Sequence, residues 1–185
     1  MRIDDLRRLI DEYFEKEDFD RSLEYCTTLI NDHAADVTTG DIFKKGLCHY
    51  KMDDHENAIV CFDRALEAEP DNILAMTNKG ICLYLLNRIP EAFGTFNRVL
   101  KLNPNTFPAW YYIGIYYLPK YTKSGDPGEL AITVNAYRQV VRMAPDFGSF
   151  PVYDPIKKVD YKLDMFLLLH DDIKELTIDE VTALC

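Results

Sequence analysis

The sequence predicts an all-α protein in which antiparallel helix pairs stack into a solenoid. Three observations carry that prediction. Gly46, Gly80 and Gly114 stand 34 residues apart. Ala58 and Ala92, Phe62 and Phe96, and Pro70 and Pro104 recur at the same interval. Apolar residues between these markers follow a helical period, as in Ala58, Ile59, Phe62, Ala65 and Leu66. A fixed period of this kind marks repeated units that bury their apolar faces against one another rather than in one closed core. Such stacks expose long surfaces, which points to recognition rather than chemistry.

The elements follow in order. Leu6, Leu9, Tyr13, Ser22, Cys26 and Leu29 place a degenerate helix pair in residues 3–36, with Asp18-Phe19-Asp20 as its turn. Ser22 precedes Ala58 by 36 residues, so two extra residues separate this pair from the next. An outermost unit meets water on one side and is expected to be atypical. Residues 39–72 form the clearest unit, with helices over Asp41–Lys51 and Glu56–Ala68 around a turn at Met52–His55. Pro70 stops the second helix because it lacks an amide donor, and Asp71-Asn72 supplies capping side chains for the unit at 73–106. The unit at 107–146 is longer. Gly114 to Pro145 spans 31 residues against 24 from Gly80 to Pro104, an insertion of seven expected as a loop near 119–128. Asp126-Pro127 reads as an N-cap and first-turn proline for a helix reaching about Met143. The array therefore covers 1–146. Residues 147–185 do not repeat and are expected to give an irregular crossing over Phe147–Pro155 and a capping helix over Asp160–Leu176. That helix would carry Val159, Leu163, Phe166, Leu167, His170 and Ile173 on one side. Thr177 and Glu180 have capping-box spacing for a last short helix.

Glycine inside a helix costs about 1 kcal/mol against alanine. Three such costs at one period imply close approach of a partner helix, expected with Ala58 or Ala92 opposite. The pattern resembles the tetratricopeptide repeat (TPR) family, a helix–turn–helix unit of the same length. Trp110, Ile113-Gly114 and Tyr117 of the third clear unit match its first helix in register, and Gly46, Ala58, Phe62, Ala65 and Pro70 match in the first clear unit. Gly80, Ala92, Phe96 and Pro104 match in the middle unit, with Met76, Leu83 and Val99 as conservative departures. Ile42 and His49 stand for the family's Trp and Tyr, and Lys45 and Lys79 replace the leucine before the glycine. The resemblance implies a TPR-type α-solenoid of three clear repeats, one degenerate N-terminal repeat and a C-terminal capping helix.

It also implies a concave groove lined by first helices that holds a peptide or helical segment of a partner protein. Groove positions are Phe43, Leu47 and Tyr50, then Thr77, Ile81 and Tyr84, then Tyr111, Ile115 and Leu118. Their aromatic and aliphatic character suits an apolar or amphipathic segment. Ile81 and Ile115 read equally well as core between helix layers. One TPR subclass grips a chaperone's terminal carboxylate with lysine, asparagine and arginine. Here Phe43, Leu47, Pro108 and Tyr112 occupy most of those places and only Asn78 agrees, so the cationic clamp is missing. The function expected is a non-catalytic protein-interaction adaptor. The alternative is a self-assembling subunit whose helix around Phe166–Leu169 docks in its own or a neighbour's groove, and a homo-oligomer stays open.

Other functions are disfavoured. The formal charge of −10 divides into −6 over residues 1–36, +1 over 37–145 and −5 over 146–185. Acidic ends around a neutral middle do not suit a phosphate backbone, so nucleic acid is not expected. The longest late apolar run, Met165–Leu169, is far short of a membrane span, and the charged start Met1–Arg8 is unlike a signal peptide. No membrane contact and a cytoplasmic location are expected. The five cysteines show no CxxC, and Cys48 and Cys82 share one repeat position as apolar fillers. His170-Asp171-Asp172 lacks the further histidines that a metal site needs, and no nucleophile set or phosphate loop stands out. No enzyme activity, metal or cofactor is expected.

Overall fold

A computed structural model describes residues 1–149, 151–154, 159–163, 167 and 170–184. Up to residue 143 it is helical: α1 (Ile3–Glu15), α2 (Phe19–Asp32), α3 (Thr39–Lys51), α4 (His55–Ala68), α5 (Ile73–Leu85), α6 (Ile89–Leu102), α7 (Phe107–Ser124) and α8 (Pro127–Met143). The chain forms two compact units, Met1–Ala92 and Phe93–Cys185, and the division falls inside α6.

In the first unit α1 pairs with α2 and α3 with α4, while α2 packs on α3 and α4 on α5. Side-chain caps set the helix starts. Asp18 accepts from the Arg21 amide, Asp54 from Asn57 and Asn72 from Ala75, while Thr38 and Asp41 form a reciprocal capping box. Turns within pairs repeat one geometry. Glu17, Asp53 and Asn87 adopt φ of 58°, 58° and 59°. The next amide in each, from Asp18, Asp54 and Arg88, reaches back to the carbonyl of Tyr13, His49 or Leu83 at 2.9, 2.9 and 2.8 Å. That six-residue closure satisfies a helix-end carbonyl and reverses the chain. The residues 3–36 thus form the same unit as their successors, despite lacking its glycine and proline. Their core joins Leu6, Ile10, Cys26 and Leu29 to Cys48 of α3. Ser22, at the Ala58 position, buries its hydroxyl by donating to the Ile10 carbonyl at 2.9 Å.

The helical glycine is explained by a ring rather than by a small residue. A Cβ on Gly46 would lie 2.7 Å from Phe62 Cε1 and 3.0 Å from Cys61 Cβ, so the expected partner Ala58 is replaced by Phe62. In the second unit a Cβ on Gly114 would lie 3.0 Å from Tyr137 Cζ. Tyr137 is therefore the third repeat's counterpart of Phe62. Cys48 and Cys82 are fully buried, as fillers should be, and burial pushes the Cys82 thiol up to about 12.

In the second unit α7 pairs with α8. The expected loop near 119–128 is mostly helix. α7 runs 18 residues against 13 for α3 and α5, and passes through Pro119. α8 starts early, with Asp126 accepting from the Gly128 and Glu129 amides. Gly125, at φ 68°, makes the turn between them. Lengthening both paired helices keeps every inserted amide hydrogen-bonded, which an exposed loop does not.

The C-terminal region corrects a second expectation. Pro151–Asp154 (β1) pairs antiparallel with Val159–Lys162 (β2), Pro151 opposite Lys162 and Asp154 opposite Val159. Residues 159–162, expected to open the capping helix, are thus a strand. Val159 and Tyr161 favour extended backbone, and β1 supplies the ladder that a lone helix start lacks. Leu163 and Leu167 are buried, whereas Phe166 and residues 168–169 lie outside the described residues. His170–Asp172 turn, and residues 174–177 run without regular structure, so no helix reaches Leu176. A last helix, α9 (Ile178–Leu184), begins at the expected capping box. The Thr177 amide donates to Glu180 at 2.8 Å, and the Glu180 amide to Thr177 Oγ1 at 3.2 Å.

Candidate functional site

On the first unit, the groove positions lie on α3 and α5. Phe43 is half-buried, its ring 5.5 Å from that of Phe62. Leu47 is half-buried. Tyr50 is half-buried with its ring 5.9 Å from His55, and burial first, then Cys82 and Asp53, raises its phenol. On α5, Tyr84 is half-buried, but Thr77 and Ile81 are only 5% and 9% exposed. Apolar surface on this helix comes instead from Leu74 and Leu85, 65% and 47% exposed. With Ile81 they stand at i, i+7 and i+11, on one face of the helix. That spacing was available in the sequence and marks the exposed stripe more closely than the repeat columns did.

Toward α1 the surface becomes charged. Arg7 and Asp11 stand at the places that Phe43 and Leu47 take 36 residues later. They line a cavity of about 360 Å³ with Ile10, Thr38, Gly40, Asp41 and Lys44. Arg7 grips Asp41 through Nε at 2.9 Å and Nη2 at 2.7 Å, and Lys44 lies 2.9 Å from Asp11 and 4.8 Å from the Phe14 ring. Burial alone would raise the Asp41 carboxyl, but Arg7 and the Thr38 amide and hydroxyl together hold it below its ordinary value. The cavity's cations are matched to carboxylates, so it offers no free charge to an anion.

In the second unit, Tyr111, Ile115 and Leu118 are half-buried on α7. Tyr111 stacks on Phe107 at 5.8 Å and meets Tyr112 edge-on at 5.6 Å. A wider aromatic group surrounds them. Tyr112 stacks on Phe96 at 5.7 Å, Tyr116 meets Phe93 edge-on at 5.1 Å, and Lys120 caps Tyr116 and Tyr117 at 4.9 and 5.1 Å. Trp110 donates from Nε1 to the Pro104 carbonyl at 2.8 Å, tying the first-helix tryptophan to the preceding repeat's closing proline. That bond gives the Trp and Pro markers one shared structural role.

The tetratricopeptide repeat family models match residues 43–72 and 74–106. The chain carries tetratricopeptide repeats. Solved structures of the same fold include MamA, with TM-score 0.66, 16% identity and coverage of 98% of this chain and 87% of that one. YrrB, described as a TPR protein with an unusual peptide-binding site, gives TM-score 0.60 and 18% identity over 88% of this chain and 70% of its own. A putative protein binding protein from Bacteroides ovatus ATCC 8483 gives TM-score 0.53 and 13% identity, covering 94% of this chain and all of that one. No curated protein sequence matches. At these identities the likeness establishes the TPR fold.

The third TPR unit hid its second-helix markers from the sequence because the insertion shifts them by seven. Tyr137 follows Gly114 by 23 residues, whereas Phe62 follows Gly46 by 16. Subtracting the insertion would have found it. Among the described residues, no three His, Cys, Asp or Glu side chains gather as a metal site, and no helix is long and apolar enough to cross a membrane.

Proposed function

We propose that the protein is a non-catalytic interaction adaptor whose first-helix faces bind an apolar or amphipathic segment of a partner protein. One observation carries the reading. Leu74 and Leu85 of α5 are exposed on the same helix face, and Tyr84 of that helix and Phe43, Leu47 and Tyr50 of α3 in the same unit are half-buried. Exposed leucines cost solubility unless a partner covers them, and burial returns about 25 cal/mol per Å² before ordering costs. In the second unit, Tyr111, Ile115 and Leu118 offer the same chemistry on α7. The described peptide-binding site of the structurally similar YrrB supports this class of ligand.

The test is selection of a displayed random-peptide library on the full-length chain, followed by titration of the enriched peptides. Enrichment of apolar anchors at helical or extended spacing is expected. Leu74→Asp with Leu85→Asp changes only exposed positions and should weaken those peptides about ten-fold or more. Tyr84→Ala with Phe43→Ala should weaken them as well. Enriched peptides that bind all these variants as they bind wild type would refute the assignment.

A further inference from the structure

The segment between the hairpin and α9 is held on α8 chiefly by its main chain. Arg138 donates from Nη1 to the Ile173 carbonyl at 2.7 Å and from Nη2 to the His170 carbonyl at 2.9 Å. Asn135 Nδ2 donates to the Lys174 carbonyl at 3.2 Å, and the Leu176 amide donates to Asn135 Oδ1 at 2.7 Å. One asparagine thus closes a two-bond clamp on the main chain. Of its side chains, Glu175 takes two bonds from Arg142 at 2.7 and 3.2 Å and one from Gln139 at 2.9 Å. Asp171 adds a contact of 3.7 Å to Arg138.

This face differs from its equivalents in the same chain. Aligning Tyr137 with Phe62 places Asn135, Arg138, Gln139 and Arg142 where α4 has Val60, Asp63, Arg64 and Glu67. On α4 this face is open, with Val60 64% exposed, whereas Asn135 is 1% exposed under the segment. A cover for the apolar end of a stack would need apolar contacts. Here the contacts are polar, and they fall on a face that an earlier repeat leaves to water.

We propose that this face of α8 is a binding site for a short acidic peptide, that residues 170–176, a turn followed by an irregular stretch, fill it within one chain, and that the same segment of a second copy fills it when that latch opens. The site is separate from the first-helix faces and stands whether or not they bind a partner. Three carbonyls and one amide fix the backbone with little regard to sequence, and Arg142 selects a carboxylate at the fifth of these positions after His170. A tethered occupant acts at an effective concentration in roughly the millimolar range, so wild-type chain excludes a free peptide until the latch is weakened.

The experiment titrates a fluorescent synthetic peptide, His170 to Thr177, against the full-length chain. Leu176→Pro removes the amide that meets Asn135, and Glu175→Ala removes the carboxylate, so this double variant frees α8 without altering it. The peptide should bind the double variant roughly ten-fold or more tightly than wild type. Adding Arg142→Glu to that host should weaken binding about five-fold, and a peptide carrying Glu175→Arg should regain it. Because Arg142 is 57% exposed, that charge exchange does not test folding. Equal affinity for wild type and the double variant, no binding to either, or no recovery by the reversed peptide would overturn the proposal.

Discussion

Alanine placed at three helical glycines separates the steric reason for the repeat from simple helix propensity. Gly94 lies exposed in α6 with nothing within 4 Å of a new Cβ. There alanine should recover most of the helix penalty and stabilise by about 1 kcal/mol. At Gly46 the same gain meets two ring carbons of a fully buried Phe62 at 2.7 and 2.9 Å and the Cβ of Cys61 at 3.0 Å. Carbon contacts are optimal near 3.5–4.0 Å, so the ring must move by roughly 1 Å in a packed core. Overpacking costs about 1–3 kcal/mol, and the severe overlap puts this case at the upper end, leaving a net loss of about 1–2 kcal/mol. Gly114 is intermediate, because its three contacts lie at 3.0–3.1 Å on the flat ring of Tyr137, which can slide a few tenths of an ångström. There the two effects should cancel to within about 1 kcal/mol. Urea unfolding followed by far-ultraviolet circular dichroism gives the order Gly94→Ala above wild type and Gly114→Ala, with Gly46→Ala lowest. A Gly46→Ala chain as stable as Gly94→Ala would refute the close-approach argument.

Other outcomes follow from the turns, caps and charges. Asp53→Gly relieves a left-handed residue at φ 58° and should stabilise by about 1 kcal/mol, with a smaller gain for Asn87→Gly because asparagine tolerates that region; unchanged urea midpoints would count against strain there. Arg7→Ala leaves Asp41 half-satisfied and should cost about 1–2 kcal/mol, less than for a fully buried pair because the Arg7 side chain is 35% exposed. Since the folded Asp41 carboxyl is depressed, this stabilisation is present above the ordinary carboxylate value near pH 4 and lost as pH falls below it, so wild type and Arg7→Ala should converge in acid; parallel stability curves down to pH 2 would contradict the pairing. The Thr177 amide and hydroxyl, then Lys174, lower Glu180 to about 2, and a carboxyl resonance titrating near 4 instead would show that the α9 capping box is not formed.

The period, the caps and the proline stops were legible because they are local. Asn72 and Asp126 cap where their sequence position puts them, since capping needs only a side chain and an amide two or three residues on. Thr177 and Glu180 are legible for the same reason. The candidate face was legible in part. Phe43, Leu47 and Tyr50 keep exposed surface, but a column of equivalent positions cannot tell that Thr77 and Ile81 are buried while Leu74 and Leu85 are open. That depends on how closely neighbouring helices approach, which is set by side chains distant in sequence. The insertion was legible as seven extra residues but not as longer helices, because lone helix turns past Pro119 are marginal until α8 lies beside them.

By itself, then, the sequence determined the repeat, several of its caps and the fold class, because each depends on spacings and caps within a few turns of chain. Only the tertiary structure decided that Phe62 and Tyr137 are what the glycines admit, that residues 159–162 are a strand, and that the acidic stretch after His170 is clamped on α8. Those outcomes rest on contacts between residues 5 to 41 positions apart, where packing space and a free backbone partner outweigh local preference.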